Sequence, residues 1–149
     1  MKINTFYKDG TEIVRPDLFD KTALGIAEDF VVTFTNKFGK PDGYGVGRTQ
    51  LRRIYDEVKR FEHRLNIGTD AWEKNHAYIK MIKSKITYNT VRAMQSDSKK
   101  EGVYKKLSEF ITEGIDLSKN ENDFRVFAAL FEAVYGFYYE KSKDFDKGN

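Results

Sequence analysis

The chain has 149 residues and a formal net charge of +3, with 40% hydrophobic and 15% aromatic residues. That length suits one domain with a real core, and the apolar share excludes a disordered chain. The absence of cysteine excludes disulfides, thiolate metal sites and cysteine nucleophiles.

No signal-peptide stretch opens the sequence, and no run approaches the ~18 apolar residues that span a bilayer. A soluble cytoplasmic protein without a membrane partner is expected. Charge is unevenly spread. Residues 48–106 hold fifteen Lys/Arg against seven Asp/Glu, a net of +8, which leaves −5 for the remainder. A basic centre between acidic flanks suggests a surface that faces a polyanion.

In chain order, residues 1–16 read as an arm, with Asp9-Gly10 suited to a hairpin turn. Two strands alone are marginal in water. Pro16 and Asp17 punctuate, and a first helix is expected over 18–38, burying Leu24, Ala27, Phe30, Val31 and Phe34. Residues 39–47 (GKPDGYGVG) read as a glycine-rich loop. A second helix to about Leu65 carries Leu51, Ile54, Tyr55, Val58 and Phe61 on one face. Asp70 is a candidate cap for a long third helix to about Met94, and a fourth holds Val103 to Ile111 and ends near Gly114. The last, over 122–141, is apolar nearly all round, which means deep burial or a partner surface. The polar tail at 142–149 is expected to fray. The expectation is an all-α, compact bundle of about five helices, a single domain over 1–149.

On the second helix, 100° per residue groups Arg52, Lys59 and His63, with Arg53, Arg60 and Arg64 beside them and Arg48 at the head. They cover an arc of roughly 160° opposite the apolar stripe. Guanidinium groups are planar, permanently charged and fork-shaped, which suits phosphate oxygens. An ordinary solvated face is the competing reading. On the third helix Lys74, Lys85 and Arg92 align, with Tyr88 nearby and Lys80 and Lys83 on an adjoining strip. A tyrosine between cations suits stacking on an unpaired base, although Tyr88 also fits a core boundary.

Gly47-Arg48-Thr49 imitates the end of a phosphate loop, but Asp42 stands where its first Gly belongs, and no strand is expected before it. His63 and His76 share no ligand or acid–base spacing. No cofactor, metal or catalytic residue is expected. Glu132, amid apolar residues, is expected to pair with a cation from another helix.

Three segments resemble one family. Residues 48–55 (RTQLRRIY) are similar to a segment that opens a helix in the small subunits of type III-A CRISPR (Csm) effector complexes. There a Ser/Thr-Gln/Lys pair precedes a hydrophobic and a basic residue. Residues 82–92 (IKSKITYNTVR) resemble the family's pattern of apolar, basic, often Pro, Lys, apolar, Ala, Tyr, three residues, Arg. Lys85, Tyr88 and Arg92 are in register, while Ser84 stands for the frequent Pro and Thr87 for the Ala. Residues 124–138 (FRVFAALFEAVYGFY) resemble the family's Phe-Glu-Ala helix, with Gly136-Phe137 in place of an Ala-Tyr step.

The resemblance implies a non-catalytic helical subunit that stacks along the guide RNA and target RNA, gripping RNA without cutting it. Implied partners are other subunits of the complex and further copies of itself. The motifs carry over Arg48, Arg52, Arg53, Lys85 and Arg92. Lys59, Arg60, Arg64, Lys80 and Lys83 rest on helix geometry alone. The alternative is a protein–protein module that docks through the last helix, at Arg125 and Tyr138, without binding RNA directly.

Overall fold

The computed structural model describes residues 2–68 and 70–146. A 3₁₀ turn at Pro16–Phe19 leads into α1 (Lys21–Asp29), then a hairpin of β1 (Val31–Thr35) and β2 (Pro41–Gly45). Five helices follow: α2 (Arg48–Arg64), α3 (Ala71–Lys80), α4 (Ile82–Ser96), α5 (Glu101–Leu117) and α6 (Glu121–Lys141). The fold is a mostly α-helical compact bundle, and α3 with α4 occupies the span expected for one helix. Among the described residues, no helix is long and apolar enough to cross a membrane.

Helix α6 is the central element. It packs against α1, α2 and α5, which buries most of its apolar residues and leaves one stripe, Ala129, Glu132, Gly136 and Tyr139, exposed. Phe124, Phe127, Phe131, Val134 and Tyr138 are buried. Phe110 of α5 is the hub, its ring centroid 5.9 Å from Phe30, 5.5 Å from Phe127 and 5.3 Å from Phe131. The Tyr138 hydroxyl donates to the Val46 carbonyl, and burial pushes that phenol well above its usual range. Tyr138 is therefore a core residue and not a docking residue.

The expected first helix stops nine residues short. Phe30 ends it, its N–H bonded to Ala27 O at 3.1 Å. The run that follows, Val31-Val32-Thr33-Phe34-Thr35, is β-branched or aromatic throughout, and such side chains lose χ1 freedom in a helix. Asn36 then builds the turn, its side-chain oxygen accepting the N–H groups of Phe38 and Lys40, while Gly39 takes φ 75°. Half of the expected glycine loop is thus β2, antiparallel to β1 with Val31 opposite Gly45. Pro41 opens this edge strand, where its missing N–H costs least.

The expected third helix breaks at Met81. There the Met81 N–H reaches both Ala77 O and Tyr78 O, and the Ser84 hydroxyl donates back to Met81 O at 2.9 Å. The break lets α3 pack on α2 and α4 on α5. Ser84, where the resembling sequences often carry Pro, is the third residue of α4, within the first turn that tolerates Pro. Asp70 stands at the head of α3 without a side-chain cap bond and pairs with Lys74 at 3.3 Å instead.

The arm is fastened to the core. Ile3 and Phe6 are buried, and the buried Glu113 carboxylate accepts the N–H groups of Ile3 and Asn4, both at 2.9 Å. The Tyr7 hydroxyl donates to Asp123 at 2.5 Å, and burial followed by that carboxylate pushes the phenol up to about 12. The expected hairpin reduces to one bridge, Tyr7 with Val14, around a Gly10 of φ 69°. The tail expectation divides. Residues 147–149 lie outside the described part, whereas Ser142 is fully buried and Phe145 packs beside Gly43.

Candidate nucleic-acid interface

Helix α2 is amphipathic because its apolar residues Leu51, Ile54, Val58 and Phe61 repeat at helical spacing and are all buried. Apart from Arg48, the cations fall on the remaining surface. Arg53, Ile54 and Glu57 form one wall of an open groove whose other wall is Ile82, Lys85, Ile86 and Asn89 of α4. Toward the C-terminal end of α4 the groove continues between Gln50 and Arg53 on one side and Asn89, Arg92 and Ser96 on the other. Helical spacing explains the second wall, since Lys85, Asn89, Arg92 and Ser96 are separated by three or four residues. Three predicted residues from two separated motifs, Arg53, Lys85 and Arg92, thereby share one groove.

One carboxylate organises it. Glu57 receives Lys85 Nζ at 2.6 Å and Arg60 at 2.8 Å. Burial pushes the Glu57 carboxyl up, but the hydrogen bonds from Lys85 and Arg60 outweigh it and hold the group below the usual range. Two cations therefore share one anion. Among the described residues, Arg53, Arg64 and Arg92 form no ion pair, and Arg52 meets Asp56 only at 3.9 Å between two well-exposed side chains. Tyr88 is 61% exposed, and the Arg92 guanidinium lies 5.7 Å from its ring centre. The expected choice between stacking residue and core boundary thus resolves to a solvent-facing ring. Arg60 and Arg64 flank Phe61 at 5.3 and 5.4 Å.

The other predicted cations lie elsewhere. Arg48 is buried: its Nε donates to Ser142 Oγ at 2.5 Å, its NH2 to Tyr139 O at 2.7 Å, and its plane lies 3.9 Å from the Tyr139 ring centre. It ties the head of α2 to the end of α6 and offers nothing to solvent. Lys59 is engaged by Glu62 at 2.6 Å and by Glu132 at 3.7 Å. Lys80 and Lys83 turn from the groove to Asp116 of α5, at 3.7 and 2.6 Å. The Lys83 hydrogen bond holds the Asp116 carboxyl below its usual range. A helix projection places side chains around one axis; it carries no information on which neighbouring helix supplies a carboxylate.

Glu132 pairs with Lys59 as expected and also accepts the Tyr55 hydroxyl at 3.1 Å. Burial, then that hydrogen bond, pushes Tyr55 up to about 12. His76 stacks on Trp72 at 4.5 Å, and burial with Lys80 and Lys119 lowers its pKa. His63 is exposed beside the arginines. Glu57, Asn89 and Gln50 were not predicted for the site. The Glu57–Arg60 spacing of three was visible in sequence; the cross-helix partner was not. Among the described residues, no group of three or more His, Asp or Glu is placed to hold a metal ion.

A family model described as Csm2 Type III-A matches residues 28–143. No curated protein and no solved structure matches the chain significantly. The family match spans well over half of the chain, from the end of α1 through α6, and contains both groove motifs and the helix that resembled the family's C-terminal segment. The chain belongs to the Csm2 family, whose members are small subunits of type III-A CRISPR complexes.

Proposed function

We propose that this subunit holds the backbone of guide and target RNA in the α2–α4 groove, without cutting it and without reading bases. The observation that carries this reading is the convergence of Arg53, Lys85 and Arg92 on one open groove in which Glu57 is the single carboxylate among the lining residues. Cations spaced along a groove neutralise phosphates and release counterions, so affinity falls with salt. Sequence specificity is then left to pairing between guide and target. Other subunits of the complex and further copies of this chain complete the assembly.

The test is a titration of labelled single-stranded RNA across salt. The parent protein should bind saturably and independently of sequence. The double variant Arg53→Ala/Arg92→Ala should bind at least tenfold more weakly at low salt, with a salt slope reduced by about 1 to 2 and an unchanged helical circular dichroism spectrum. Unchanged affinity would remove the groove from the RNA path.

A further inference from the structure

The hairpin has two unlike faces. On one, Gly43 and Gly45 leave room for Phe145 and for the Tyr138 hydroxyl, so that face lies on the body. Register sets Val32 opposite Tyr44, and strand alternation places Val32, Phe34 and Tyr44 on the other face. Phe34 is 47% exposed, and Phe38 at the turn 74%. Cations accompany these rings: Lys99 Nζ lies 5.2 Å from the Tyr44 ring centre, and Lys37 Nζ 5.2 Å from that of Phe38. Lys40 is exposed at the same turn. The nearby carboxylates are partly engaged, since Asp42 accepts the Gly43 N–H and Asp97 caps the Ser98–Lys100 turn while meeting Lys99 at 3.8 Å.

We infer that this face is a stacking platform for unpaired RNA nucleotides, the rings of Phe34, Phe38 and Tyr44 taking bases and Lys37, Lys40 and Lys99 taking phosphates. Phe34 and Phe38 are exposed, and Tyr44 is half-buried beside Lys99. Such aromatics interleaved with lysines are the chemistry that holds single strands regardless of sequence, because every base has a π face and every nucleotide a charge. The platform continues the groove. Ser96 lines the groove's end beside Arg92, and Lys99, three residues on, reaches Tyr44. A strand that leaves the groove past Ser96 therefore meets the lysine and then the ring. The identity of the ligand rests on the α2–α4 groove being the RNA path; the platform's location does not.

The experiment compares one RNA as a single strand and as a blunt duplex, with parent protein, Phe34→Ser/Phe38→Ser and Arg53→Ala/Arg92→Ala. A 2-aminopurine in the single strand reports stacking by loss of fluorescence. The parent should prefer the single strand by about fivefold or more and quench the probe. The hairpin variant, whose replaced rings are solvent-exposed, should keep its melting temperature and duplex affinity while losing the preference and the quenching. The groove variant should weaken both forms.

A parent that binds both forms equally, or a hairpin variant that keeps the preference, overturns the platform and leaves the groove reading intact. Loss of binding by the hairpin variant alone overturns the groove and keeps the platform. If the hairpin substitutions abolish self-association in sedimentation and leave RNA binding untouched, the face docks protein and the inference falls.

Discussion

Glu57 sits between Lys85 and Arg60, and its removal isolates what the groove's charge does. Glu57→Gln keeps the shape but frees two cations for phosphate, so RNA affinity should rise severalfold at low salt and the salt slope should steepen. A fall in affinity would mean that Glu57 positions the two cations more than it neutralises them. The same bridge sets a pH dependence. The folded carboxyl holds its proton less tightly than the unfolded one. The bridge therefore stabilises the fold above the ordinary glutamate range, and that contribution is lost as pH falls through the lowered folded value. Arg48 shows the limit of residue-level reading. Its type and its place at the head of α2 were plain in the sequence, yet Ser142 and Tyr139, about ninety positions away, decide that it is a structural clamp.

At the scale of elements, helices α2, α5 and α6 were legible because apolar residues recur at a local period that needs no knowledge of partners. The hairpin was not, since Phe30, Val31 and Phe34 also fit a helical stripe, and only the β-branched run and the Asn36–Gly39 turn speak against it. The α5–α6 contact offers a sharp test. A methyl group on Gly114 would lie inside the space of the buried Phe127 ring. Gly114→Ala should therefore lower stability by about 1–3 kcal/mol in denaturant unfolding, even though alanine favours an isolated helix by about 1 kcal/mol. A stabilised variant would mean that Phe127 can step aside without loss.

For the molecule as a whole, the arm is the largest departure from a local reading. It precedes the matched family region, which begins at residue 28, yet it supplies Ile3 and Phe6 to the core and covers Glu113. Deleting residues 1–15 exposes those two sites, worth about 1.5–3 kcal/mol each, and leaves Glu113 without its two backbone donors. Thermal unfolding of the truncated chain should show a loss of several kcal/mol. A loss below about 1 kcal/mol would show that the arm only rests on the bundle.

The sequence by itself determined the helical character of the bundle, the basic centre and the family resemblance, because periodicity, composition and short motifs are local properties of a chain. Only the tertiary structure decided that α6 is the central helix, buried on all but one stripe, and that Lys80 and Lys83 turn to Asp116 while Lys85 turns to Glu57. It likewise decided that the arm joins the core and that Ser142 and Phe145 pack against the body. Those outcomes depend on which distant element supplies the counter-ion or the apolar wall, and a helical projection contains no term for a neighbour.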